Sequence, residues 1–206
     1  MSWLPEIITL NGETVKLIPL EKRHFDELNL LANDKKIWEF CLEDYGDPVR
    51  FNKEIFSDAF VEKANGRQYP FAIWHIIDQK IIGTTRFIDL NPVRKKLEIG
   101  QTWIHSDYWG TGANLECKLL LMTYCFETLQ AIRVQLWANS KNIRSRKAIE
   151  KIGGKFEGII RNISLTDNGT RLNGALNSII DSEWDEAKSN LTRLYKIKKD
   201  EQYNIS

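Results

Sequence analysis

The stretch Tyr108–Lys118, YWGTGANLECK, constrains this chain more than any other. It follows the apolar segment 97–104. It precedes a run in which Leu115, Leu119, Met122, Phe126 and Leu129 recur at three-to-four spacing, the period of an amphipathic helix. Two glycines one residue apart, Gly110 and Gly112, therefore sit between a strand and a helix. Glycine here costs backbone entropy and adds no packing, so the loop is thin for a reason. A thin loop leading into a helix N-terminus presents unpaired N–H groups at the positive end of the helix dipole. That arrangement suits an anion, a phosphate above all, held between Gly110 and Asn114. The alternative is a tight turn with nothing bound. A P-loop would carry Gly-Lys-Ser/Thr where this chain has Gly112, Ala113 and Asn114. A dinucleotide fingerprint would place a glycine at Leu115 and follow an early parallel β-α-β unit.

The rest of the chain reads as one α/β domain of 206 residues, spanning 1–206. Val15–Leu20 alternates as a strand, and 21–34 has a helical face of Phe25, Leu28, Leu31 and Ala32. Asn52–Gly66 reads as a second helix, with Asn52 as its cap and Gly66 as its stop. A loop at Glu43–Pro48 separates the two. Phe71–Ile77, Ile81–Leu90 and Leu97–Ile104 form an antiparallel meander. After the long helix come a strand at Arg133–Ala138 and a short helix from Asn142 ending at Gly154. Two strands then flank the hairpin signal TDNG. A helix begins near Ser182, and the polar tail from about residue 197 reads as frayed.

Composition excludes several classes. Acidic and basic side chains nearly cancel, at a formal net charge of +1, so neither nucleic acid nor an anionic membrane is the expected partner. The N-terminus lacks a secretory pattern, no apolar run approaches membrane-spanning length, and the cytoplasm is the simplest home. Cys41, Cys117 and Cys125 have no metal-like spacing, and Cys117 and Cys125 fall in the helical pattern as reduced core residues. No metal is expected.

Two blocks carry a family resemblance. WGTGAN, Trp109–Asn114, resembles the Arg/Gln-x-x-Gly-x-Gly/Ala motif of the GNAT N-acetyltransferases. Gly110 and Gly112 match; Trp109 and Asn114 depart from it. NIRSRKAIEKIGGKFEG, Asn142–Gly158, resembles the second motif of that family, most closely in its ribosomal-protein N-terminal acetyltransferase branch. The resemblance implies a mixed, mostly antiparallel central sheet flanked by helices. It implies acetyl-CoA as cosubstrate, with its pyrophosphate on Trp109, Gly110, Thr111, Gly112, Ala113 and Asn114. The acetyl carbonyl would be held by a backbone N–H near Ile104, and the pantetheine arm by Asn142.

Such a transfer needs a base for the amine proton, a stabilised oxyanion and a proton for the departing thiolate. Glu98 resembles the strand glutamate that serves as base in the family; the alternative is a solvent-facing carboxylate or one paired with an arginine such as Arg86. His105 is a second candidate base by its ordinary titration range. The family's acid is a tyrosine seven residues after the motif asparagine, where this chain has Ile149. Ser145 is the nearest substitute, unless it only bonds within its own helical turn. Asn142 has the parallel alternative of capping its helix. Lys118, Lys141, Arg144, Arg146 and Lys147 could meet phosphates or form a solvated face. Trp38, Tyr45, Trp74 and Trp103 could wall an acceptor pocket or fill the core. The implied function is transfer of an acetyl group to a primary amine, on a peptide N-terminus or a small molecule. A non-catalytic acyl-CoA sensor or scaffold on the same fold is the alternative. A homodimer is possible for either.

Overall fold

The computed structural model describes residues 3–41, 45–166 and 169–203. Strands β1 (Leu10–Asn11) and β2 (Val15–Pro19) open the chain, followed by helix α1 (Phe25–Ala32). Helix α2 (Pro48–Arg50) runs through a π-helical stretch, Phe51–Ser57, into α3 (Asp58–Ala64). Strands β3 (Tyr69–His75), β4 (Lys80–Asn91) and β5 (Lys96–Ile104) form the expected meander. Helix α4 (Ala113–Thr123) ends in a π-helical turn, and β6 (Arg133–Asn139), α5 (Ile143–Lys151), β7 (Lys155–Leu165), β8 (Arg171–Ile180) and α6 (Trp184–Tyr203) complete the chain. Their spatial order is β1-β2-β3-β4-β5-β6-β8-β7, and β5–β6 is the parallel pair.

Two cores flank the sheet. One face packs Phe71, Phe87, Leu97 and Ile99 against Cys117, Leu121, Met122 and Cys125 of the α4 run and Leu191 of α6. The other packs Ile81 and Trp103 against Leu28 and Ala32 of α1 and Phe51, Phe56 and Ala59 of the α2–α3 run. Alternation along β5 explains the split: Leu97 and Ile99 face α4, while Glu98 and Trp103 stand opposite Ile88 and Thr84 on the other face.

Three expectations are corrected. The second helix is capped by Asp47, whose carboxylate accepts the Arg50 N–H, with Pro48 at its first position. Asn52 instead lies inside the helical run, where its side chain accepts the Ser57 hydroxyl. The polar tail is helical to Tyr203 because it is tied down: Lys199 pairs with Glu13, and the Tyr195 hydroxyl bonds that of Thr14. The buried face of α4 is also wider than the spacing implied. It takes in the charged residues Glu116 and Lys118, while Leu115 and Leu119 are half-buried. Glu43 and Asp44, in the loop Glu43–Pro48, and the centre of the TDNG turn, Asp167 and Asn168, lie outside the described residues.

Candidate active site

The site is a split in the sheet. β5 and β6 pair through three residues each, Lys96–Glu98 with Arg133–Gln135, although β5 continues to Ile104 and β6 to Asn139. Beyond Glu98 the two strands run on unpaired. A bulge in β5 accompanies the separation: between its pairs with Arg86 and Thr84, β5 has one residue too many, and Gln101 takes φ 45°. Glu98 therefore sits at the apex of a wedge whose mouth lies at the C-terminal ends of two parallel strands. That is where open α/β sheets take ligands.

The glycine loop forms one lip of the mouth. Gly110 and Gly112 adopt φ 80° and 90°, a left-handed backbone that other residues rarely take. A Cβ on Gly110 would meet nothing within 4 Å, so its outer side is open to a ligand. A Cβ on Gly112 would come 3.2 Å from Lys198 Cβ, so its rear is closed by α6. The Thr111 hydroxyl donates to Tyr108 O at 2.8 Å and accepts the Ala113 N–H at 3.4 Å. The N–H groups of Gly110, Gly112, Asn114 and Leu115 have no acceptor among the described residues. Four free amides at a helix N-terminus suit the phosphates of a nucleotide-bearing ligand.

The other lip is the start of α5. Asn142 caps that helix, its Oδ1 accepting the Ser145 N–H at 2.9 Å. Both alternatives posed by the sequence are thus partly answered: Asn142 is a cap, and the bond to Ser145 uses the serine's backbone, not its hydroxyl. The Arg144 guanidinium stacks 3.8 Å from the centre of the Trp109 ring, while Trp109 Nε1 donates to Ile104 O at 2.8 Å. This pair bridges the two lips. Sequence motifs located both partners separately and could not show that they touch.

At the apex, Glu98 is 6% exposed. It accepts a hydrogen bond from Gln135 Nε2 at 2.9 Å, and the nearby Trp137 side chain also favours its ionised form. Burial outweighs both and pushes its carboxyl up to about 7. The proposed pairing with Arg86 is absent: Arg86 is committed to Asp58, Gln68 and Ile55 O. His105 lies between Asp34 and Asp107, near the mouth. Its N–H bonds Ile82 O on β4. Backbone alternation therefore turns the Ile104 N–H to the opposite edge, toward the split.

Two charged residues of α4 are buried, and sequence reasoning named only one of them. Glu116 accepts the N–H groups of Glu13, Thr14 and Val15 at 2.6, 2.8 and 2.7 Å, tying α4 to the β1–β2 turn. Lys118, assigned from sequence to a phosphate contact or solvated face, is 8% exposed and donates to Thr102 Oγ1 at 2.8 Å. Trp38, Tyr45 and Trp103 are buried together, with Trp38 5.2 Å from Tyr45 and 5.5 Å from Trp103, beside the face from which Glu98 projects. Trp74 is half-buried at the edge of that cluster.

A family model described as "Acetyltransferase (GNAT) domain" matches residues 14–155. This chain belongs to the GNAT acetyltransferase family. It is therefore an acyltransferase that acetylates amines, and the non-catalytic sensor is not the reading these matches support. A Bacillus subtilis relative named "Putative ribosomal N-acetyltransferase YdaF" is 28% identical over 85% of this chain and 94% of its own. The crystal structure of a GCN5-related N-acetyltransferase from Brucella melitensis superposes with a TM-score of 0.79. It is 26% identical, over 92% of this chain and 86% of that one. Mycobacterium smegmatis RimJ, solved in complex with CoA-disulfide, shares the fold at a TM-score of 0.73 and 19% identity. That match covers 91% of this chain and 93% of RimJ. Among the described residues no helix is long and apolar enough to cross a membrane, and no group of three metal-binding side chains occurs.

Proposed function

We propose that the split between β5 and β6 binds acetyl-CoA and that Glu98 is the base that frees the acceptor amine for attack. The observation that carries this reading is the distance between the two ends of the split. Glu98 and Ile104 are six steps apart along β5, about 20 Å at the rise of a strand. A ligand with phosphates at the mouth and its reacting group at the apex is therefore long and narrow, as acetyl-CoA is.

Trp109 and the loop Gly110, Thr111, Gly112, Ala113 and Asn114 hold the pyrophosphate through the free amides. Asn142 and Ser145 border the pantetheine path, and the Ile104 N–H, a donor already fixed by the sheet, is available to the pantetheine arm where it enters the split. The acceptor enters from the α1 and α3 side, because Glu98 shares a face with Trp103. A carboxyl held near 7 is half ionised at neutral pH, so it can take the amine's proton without being a permanently weak base. The buried Trp38–Tyr45–Trp103 group gives that side an apolar wall. The branch of the relatives supports a protein N-terminus as acceptor.

Residues 1–206 form one domain, since a single sheet runs from the first strand to the last. A second copy would pair along β7, an edge strand with Phe156, Ile159 and Ile160 exposed. Calorimetry with acetyl-CoA, followed by thiol release against N-terminal peptides and small amines, tests the function. Binding with turnover is expected; no binding would reduce the glycine loop to a turn.

A further inference from the structure

Two cations among the described residues are more than nine-tenths buried, and they differ in one respect. Arg86 has a carboxylate, Asp58, at 3.3 Å. Lys118 has none: its Nζ donates one hydrogen bond, to Thr102 Oγ1, and its other two N–H bonds find no acceptor among the described residues. Burying an ammonium in this condition is costly, and a methionine of similar length would fill the space without the cost. A cation kept there implies negative charge arriving there.

The position says which charge. Lys118 rises from α4 onto the unpaired stretch of β5, at the bulge. Thr102 lies beside the strained Gln101, and its hydroxyl is 2.7 Å from that of Thr85. Glu98 approaches the same split from the opposite face of the sheet. Two titratable groups act on Lys118: Cys117, next to it on α4, and Glu98. Burial lowers the tendency of Lys118 to hold its proton, and these two oppose that effect.

Building on the acetyl-CoA site proposed above, we propose that Lys118 is the acid of the reaction, giving its proton to the thiolate as it leaves. It fills the role left open by Ile149. An acceptor that arrives as an ammonium first gives one proton through Glu98 to the solvent, and from the neutral amine onward the balance closes without another reactant. The amine nitrogen bonds the acetyl carbon, and the carbon–sulfur bond breaks with its electron pair on sulfur. Glu98 takes the amine's surplus proton, and a Lys118 proton goes to sulfur. Transfer of a proton from the Glu98 acid to neutral Lys118 restores both groups.

The test needs no turnover at first. Coenzyme A is bound to the wild-type protein and its thiol titrated by the ultraviolet absorbance of the thiolate. The bound thiol is expected to ionise about one pH unit or more below the free thiol, and to return to the free value in Lys118→Met, the size of effect a nearby buried charge produces. Desulfo-CoA, which lacks the sulfur, should bind both proteins alike. Lys118→Met should lower kcat about 100-fold, the size of a lost general acid, while its thermal midpoint holds or rises. A bound wild-type thiol that titrates like the free one overturns the proposal, whether or not the variant folds. So does a Lys118→Met enzyme with kcat within about threefold of wild type. If neither CoA nor desulfo-CoA binds the wild type, it is the acetyl-CoA site that has failed.

Discussion

Glu98 on β5 and Glu116 on α4 are both carboxylates with less than a tenth of their surface exposed, yet the fold treats them in opposite ways. Glu116 is saturated. Three consecutive backbone N–H groups converge on it within 2.8 Å, and a Cβ on Gly12 would come 2.5 Å from its carboxyl carbon, so nothing else can enter. Glu98 is left short. It accepts a hydrogen bond from the neutral Gln135 amide and lies at a strand edge without a ladder partner beyond it. The difference shows that burial alone does not make a carboxylate reactive. What matters is whether the backbone has already satisfied it.

The sharpest way to break this comparison is to remove Glu116. Glu116→Ala strands three buried N–H groups at once, each worth about 1–3 kcal/mol. A loss of about 3–5 kcal/mol is expected in chemical denaturation. A loss below about 1 kcal/mol would mean the β1–β2 turn finds other partners and that Glu116 is no anchor.

Glu98→Gln should act on rate instead. Turnover should fall about 100-fold or more, as for other lost general bases, with acetyl-CoA affinity nearly unchanged. Wild-type activity should rise through pH 7 as Glu98 ionises, and the variant should lose that limb; an unaltered profile would move the base elsewhere. Stability carries the opposite sign. Below about pH 4.5 Glu98 is protonated in folded and unfolded chains alike, whereas up to about 7 the folded chain keeps a proton that the unfolded chain has lost. Wild-type stability therefore falls as pH rises through this window, by about 3 kcal/mol at most. Glu98→Gln should flatten that slope, as denaturation at pH 4 and pH 8 would show.

Two smaller tests sharpen the mouth of the split. Gly112→Val forces a branched residue into φ 90° against Lys198 and should cost about 1–3 kcal/mol of stability. It should also weaken acetyl-CoA binding measurably, and normal binding would refute the loop assignment. Arg144→Ala removes an exposed cation–π contact worth about 0.5–1 kcal/mol. A twofold to fivefold weaker acetyl-CoA affinity, with kcat unchanged, is expected by titration; no change would make the Trp109 stack ornamental to binding.

Much of this was legible in the chain. The meander, the helix after YWGTGAN, the hairpin strands and the position of Glu98 on a strand all follow from local periodicity and turn chemistry. The helix cap was misplaced from Asp47 to Asn52 because both are good capping residues and the π-helical stretch blurs the period. Lys118 and Glu116 were hidden for another reason. Charged residues on a helix are expected outside, and only their partners, Thr102 at the bulge and the backbone of residues 13–15, explain why they lie within.

By itself the sequence determined the order of strands and helices, the left-handed glycines at the helix start and the family, because each depends on residues close together in the chain. Tertiary structure alone decided where β5 and β6 part, which carboxylate is saturated and which is left titrating near neutrality, and that a buried lysine faces the same split. Those outcomes depend on contacts between residues tens of positions apart. Glu98 meets Gln135 across 37 residues and Glu116 meets Glu13 across 103, distances that no local pattern encodes.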